Sequence, residues 1–240
     1  MSGAADDGEH APDPAQIVAG WLERRDDAGT ERDEALLAVA DATRRLVHRL
    51  HATEAPLEVL DGLATAISGM ARLVEAHPQG RLYEGFAEAS TAGAPTAFFE
   101  FSPIIGRANP LAPPLTMRVD DDVVHCVGRF GNAYEGPPGH VHGGYIAAAF
   151  DELLGMAQSL TGNPGMTGTL TVRYRTPTPL HEELRLVGSV DRVEGRKIFT
   201  SGRMYAGDRL TAEAEGVFVS IDRARMVALA EERSTSTGES

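Results

Sequence analysis

The 240-residue chain is 42% hydrophobic and 24% charged, the balance expected of a globular fold, and its formal charge of −13 argues against nucleic acid as a partner, because phosphate contacts need a basic surface. No run approaches the roughly 20 apolar residues of a membrane span. The acidic start MSGAADDGEHAPDP is unlike the basic, then apolar, pattern of a secretory signal, so a cytoplasmic protein with no membrane partner is expected.

Residues 1–12 are small, polar and acidic and are expected to form a disordered tail. Asp13 and Pro14 read as an N-cap followed by proline at the first helical position, opening a helix with Ile17, Val18, Trp21 and Leu22 on its apolar side and a stop near Gly29. Thr30, with Asp33 three residues on, predicts the start of a second helix carrying Leu36, Val39, Thr43, Leu46 and Leu50 at alternating three and four spacing. A third begins after Pro56, with Leu60, Leu63, Ile67, Met70 and Val74, and Pro78-Gln79-Gly80 closes it. Residues 13–90 therefore read as a helical extension. Its apolar stripes suit a structural cap or an oligomer contact, with a regulatory lid as the other reading.

Strand patterning takes over near Ala94, and residues 95–222 read as the main domain. Strand candidates fall at 96–101, 115–119 and 123–130, and the single cysteine, Cys126, lies in the last of these as a buried structural thiol. An apolar helix over 140–160 is followed by the turn Gly162-Asn163-Pro164-Gly165 and four strand-like runs at 168–175, 183–193, 197–205 and 212–221, with turns at 191–195 and 206–208. One helix before a series of strands predicts an α+β fold whose antiparallel sheet wraps around a central helix. Residues 223–240 are a polar C-terminal tail.

The chemistry-bearing residues cluster around that helix. Gly143 and Gly144 follow His142 at its start, where unpaired N–H groups and the helix dipole can stabilise a developing oxyanion. Asp151 sits mid-helix among Phe150, Leu153 and Leu154, a poor place for aspartate on propensity alone. Seven residues separate it from Gly144, about 10 Å along the axis at 1.5 Å per residue, whereas both must come within about 3 Å of one carbonyl. If both act, they act from different subunits. Residues 167–210 hold eight basic and five acidic residues, a local cationic surface in an acidic chain. His140 and His142 have no third ligand at metal spacing, and no Gly-x-Ser-x-Gly elbow is present.

The runs GPPGHVHGG (136–144), AFDELLGM (149–156), MTGTLTVRYRTPTPL (166–180) and VEGRK (193–197) resemble the acyl-CoA thioesterases of the hotdog superfamily over about residues 135–221. They are most similar to the phenylacetate-degradation thioesterase family and the thioesterase superfamily member 4 group. The resemblance implies a hotdog fold that hydrolyses an acyl-CoA to a free acid and coenzyme A in lipid metabolism, as a homodimer or tetramer. No cofactor is implied beyond the coenzyme A of the substrate. It makes Asp151 the general base or nucleophile, Thr167 (with Thr169 as second candidate) the orienting hydroxyl, and Gly143 and Gly144 the carbonyl-polarising donors, with His142 shaping their turn. Arg173, Arg175, Arg196 and Lys197 fall where the family contacts the coenzyme A nucleotide. Many relatives have Asn or Gln just before the His-Gly-Gly run; here the stretch reads Glu135-Gly136-Pro137-Pro138, leaving polarisation to backbone N–H groups. The alternatives are a module that binds acyl-CoA without cleaving it, and a hotdog enoyl-CoA hydratase or dehydratase.

Overall fold

The computed structural model describes residues 31–78, 100–163 and 165–220. The expected helix over 14–29, the cap Thr30 and both tails lie outside these. Helices α1 (Glu31–Leu50) and α2 (Leu57–Glu75) form where the spacing predicts. They differ in how they pack. The face of α1 that meets the domain runs through Leu37, Ala40, Arg44 and His48, while Val39 and Leu50 of the predicted stripe are exposed. The reason is polar. The Arg44 guanidinium donates to the carbonyls of Ala112, Arg107 and Asn109 at 3.1, 3.1 and 2.9 Å, and the His48 ring packs edge-on against Tyr134 with centroids 5.3 Å apart. Helix α2 buries none of its residues against the described chain.

The domain is built from β1 (Leu115–Asp120), β2 (Val123–Gly128), α3 (Gly143–Ser159), β3 (Gly165–Tyr174), β4 (Leu184–Glu194), β5 (Lys197–Ala206) and β6 (Arg209–Ser220). The strands form one antiparallel sheet in the order β1-β2-β4-β5-β6-β3, curled around α3 in the hotdog arrangement. Side chains alternate along the strands, so Leu184 and Leu186 of β4, Ile198 and Met204 of β5, and Ala212, Ala214 and Phe218 of β6 all face the helix. Cys126 is fully buried on β2.

Several boundaries move from their predicted positions. Of the strand expected over 96–101, only Glu100 and Phe101 are described, and both are helical. Strand β2 stops at Gly128, freeing Phe130 to pack edge-on against Tyr134. His140 and Val141 make bridges to Pro179 and Glu135 instead of opening the helix. The turn expected at 191–195 is tighter: β4 continues to Glu194, and Gly195 turns the chain at φ +57°. Asp191 instead marks a bulge between Val190 and Arg192, where it accepts a 2.7 Å hydrogen bond from Ser201.

Close approach of α3 to the sheet depends on missing side chains. Gly188 and Gly202 are cross-strand partners on β4 and β5. A methyl group on Gly188 would lie 2.9 Å from Leu153 Cγ, and one on Gly202 3.2 Å from both Leu153 and Leu154. Gly188→Ala is therefore expected to lower unfolding free energy by ~1–3 kcal/mol through overpacking, and Leu153→Ala by ~2–5 kcal/mol through a cavity. In urea titrations the double variant is expected to lose less than the two single losses combined, because the new methyl occupies space that Leu153 has vacated.

Candidate active site

Helix α3 begins with a cap supplied by its own sequence. His142 has extended backbone angles, and its Nδ1 accepts a 3.0 Å hydrogen bond from the Gly144 N–H. This corrects one expectation. The Gly144 donor is engaged by His142, so of the two predicted carbonyl donors the Gly143 N–H is the one left without an acceptor among the described residues. The Gly143 carbonyl in turn accepts a 2.9 Å hydrogen bond from the hydroxyl of Tyr174, at the far end of β3. Tyr174 was not legible as a site residue, because nothing in the local spacing brings the end of that strand to the start of the helix.

Asp151 and Thr167 are brought together, with the Thr167 hydroxyl donating to Asp151 Oδ1 at 2.8 Å. What allows this is a bulge: Thr167 pairs with Phe218 and Thr169 with Val217, leaving Gly168 as the extra residue. Directly opposed residues share a face, and Phe218 is 2% exposed and points inward, so Thr167 points inward too. Past Gly168 the inward positions are Leu170 and Val172. Thr169 therefore takes the other face, and its side chain makes no hydrogen bond among the described residues.

The basic candidates lie apart from this pair. Arg173 meets Glu215 at 2.5 Å and Arg175 meets Glu213, both across the β3–β6 ladder and both exposed. Arg196 donates to the Ser220 carbonyl at 3.1 and 3.0 Å, and Lys197 opens β5 on the surface. Among the described residues, no group of three or more His, Cys, Asp or Glu side chains could hold a metal ion.

A cavity of about 240 Å³ lies behind the carboxylate, between α3 and the start of β3. Asp151, Met166 and Thr167 are its exposed members, while Met156, Gln158, Ser159 and Phe218 are its buried ones. Glu152 lines it as well. The Glu152 carboxyl is pushed up from 4.5 to about 7, chiefly by burial and further by the charge of Asp151, against a weak hydrogen bond from Ser102 at 3.4 Å. Sequence reading places Asp151 but not Glu152, since burial of the next residue depends on what the helix packs against.

A curled sheet around one helix, with a carboxylate and a hydroxyl joined at its edge and glycines at the helix start, is the architecture of the hotdog thioesterases. The Thioesterase superfamily model matches residues 138–213. A crystal structure of a thioesterase superfamily protein superposes with a TM-score of 0.68 at 34% identity, covering 77% of this chain and 94% of that one. Acyl-coenzyme A thioesterase THEM4 of Xenopus laevis is 37% identical over 98 residues, 40% of this chain and 44% of the frog protein. The Bos taurus protein of the same name is 34% identical over 105 residues, 43% of each. The match thus spans less than half the length of these curated relatives. The chain belongs to the thioesterase superfamily.

Because the folded-state pKa of Glu152 lies above its unfolded value, the folded protein holds a proton that the unfolded chain has released between about pH 4.5 and 7. Its contribution to stability is full below that window and is lost as pH rises through it. Glu152→Gln keeps the shape without the charge and is expected to flatten this dependence, gaining ~1–3 kcal/mol relative to wild type between pH 5 and pH 8. Thermal or urea unfolding at the two pH values checks it.

Proposed function

We propose that the chain is a thioester hydrolase that cleaves an acyl-CoA to a carboxylic acid and coenzyme A. The observation that carries this reading is the 2.8 Å bond between Thr167 and Asp151 at the mouth of a cavity with apolar walls. Asp151 acts as general base on water or as nucleophile toward the thioester carbonyl, and Thr167 fixes which carboxylate oxygen faces the reaction. The names of the curated relatives support acyl-CoA as the substrate class. The Gly143 N–H, without an acceptor among the described residues, polarises the carbonyl.

The same reading makes the enzyme an oligomer of at least two chains, in which the helix start of one subunit serves Asp151 of the other. Support comes from the axial separation along α3 and from the outer edge of β3. That strand is ten residues long, pairs among the described residues only with β6, and has no charge from Met166 to Val172. An uncharged edge of this length is a template for pairing with a second copy. Arg173, Arg175, Arg196 and Lys197 are the candidates for the nucleotide end of coenzyme A, acting after exchange of their present carboxylate and carbonyl partners. A cytoplasmic location and a role in lipid metabolism belong to the same proposal.

Thiol release from a panel of short, medium, long and aromatic acyl-CoAs tests the activity. Asp151→Asn is expected to lower kcat by ~10²–10⁴-fold, with Thr167→Val falling between it and wild type; wild-type turnover by Asp151→Asn would refute the mechanism. Thr171→Lys, which places a charge on the β3 edge away from both residues, is expected to yield monomers in sedimentation and to abolish turnover. Full activity in a monomer would refute the shared site.

A further inference from the structure

A second cavity, of about 330 Å³, opens on the seam where α1 docks. His48 and Arg49 of the helix meet Arg129, Gly131, Asn132 and His181 of the domain there. No carboxylate lines this cavity, although the chain as a whole carries a formal charge of −13. Neither Arg49 nor Arg129 makes a side-chain hydrogen bond or an ion pair among the described residues.

These basic groups are held together by neutral contacts. His48 Nδ1 accepts a 3.3 Å hydrogen bond from the Ala133 N–H, which leaves the proton of the neutral ring on Nε2. A methyl group on Gly131 would lie 2.8 Å from that ring, so the imidazole is seated directly on the backbone. His181 stands at φ +62°, a conformation side chains rarely adopt, and its N–H donates to the Phe130 carbonyl at 2.8 Å. Strain of this kind persists only where the surrounding structure imposes it. The His48 imidazole is held below the ordinary histidine pKa, first by burial and then by the charges of Arg44, His181 and His51.

Charges of one sign, brought from two parts of the chain, repel across the seam. A bound anion turns that repulsion into a bridge. We propose that this cavity binds the phosphate group of a small phosphate ester, which joins Arg49 of the helical extension to Arg129 of the domain. Arginine forks match carboxylate and phosphate oxygens alike. A phosphate fits better here because it carries a charge of about −2 at neutral pH, enough to answer both arginines. Its remaining oxygen has donors as well, since the N–H groups of Gly131 and Asn132 have no acceptor among the described residues. At roughly 30 Å³ for each water-sized group, the five heavy atoms of a phosphate fill about half of the cavity and leave room for the start of the ester.

Calorimetric titration of the full-length chain with inorganic phosphate, at about physiological salt, tests this. A Kd of ~1 mM or tighter is expected, weakened ~10-fold or more in the double variant Arg49→Gln, Arg129→Gln. Both side chains are exposed. Removing like charges should leave the Tm without phosphate at or above that of wild type, whereas phosphate should raise the Tm of wild type alone. No binding by wild type in this range, or undiminished binding by the double variant, overturns the inference. Coenzyme A and dephospho-coenzyme A then identify the source. Displacement of phosphate by the first alone makes the 3′-phosphate of coenzyme A the occupant, displacement by both makes it the pyrophosphate, and retention against both makes it a separate ester; the site stands in each case. Phosphate binding without thiol release from any acyl-CoA would overturn the thioesterase reading and leave this inference intact.

Discussion

The close seating of α3 against the sheet governs the rest of the structure. Leu153 and Leu154 are fully buried where Gly188, Gly202 and Gly216 withhold their side chains from the inner face of β4, β5 and β6. A larger residue at any of these would lift the helix or force the strands apart, since packed interiors have little slack. With Leu153 lodged there, the helix has one rotational setting. Asp151, two residues earlier at 3.6 residues per turn, must emerge on nearly the opposite side, by about 160°. A carboxylate that propensity would place elsewhere is thus held at the rim of the core by two leucines inside it.

The polar contacts then extend that setting outward. Thr167 joins Asp151 to the edge strand, Tyr174 joins the other end of that strand to the first turn of the helix, and His142 closes the turn itself. Each bond links α3 to β3 or to the loop before it, so the catalytic candidates share the rigidity of the core. Glu152 shows the opposite face of the same design. Placed one residue from Asp151 and packed inward, it holds its proton to about pH 7 and keeps a second negative charge out of the cavity below that pH.

Much of this was legible in the chain. The 3.6-residue stripes locate α1 and α2, and the β-branched runs locate all six strands of the sheet to within a few residues, because periodicity records which face is buried. Asp151, Thr167 and the glycines at the helix start follow from the spaced motifs. Three things were hidden, each for a physical reason. Arg44 docks α1 through carbonyls that lie more than sixty residues away, so a charged residue sits on the buried face where a leucine stripe was expected. The His142 cap removes Gly144 as a donor, a competition that backbone counting does not reveal. The meeting of Arg49 with Arg129 depends on that same docking of α1, since the two lie far apart in the chain. By contrast, the apolar stripe of α2 is plain in the sequence, yet the described chain gives it nothing to cover.

Gly168 carries a consequence that extends beyond this chain. A strand stores which residues face inward as a binary phase, and one inserted residue reverses that phase for everything on one side of it. In β3 the reversal lets Thr167 look toward the helix while Leu170 and Val172, an odd number of residues away, also look inward. Two homologues could therefore carry the same threonine at the aligned position and differ in whether it reaches the carboxylate. The informative character in a family comparison is the pair of threonine and bulge together, and drift in strand length at that point would silence the site without altering a single catalytic residue.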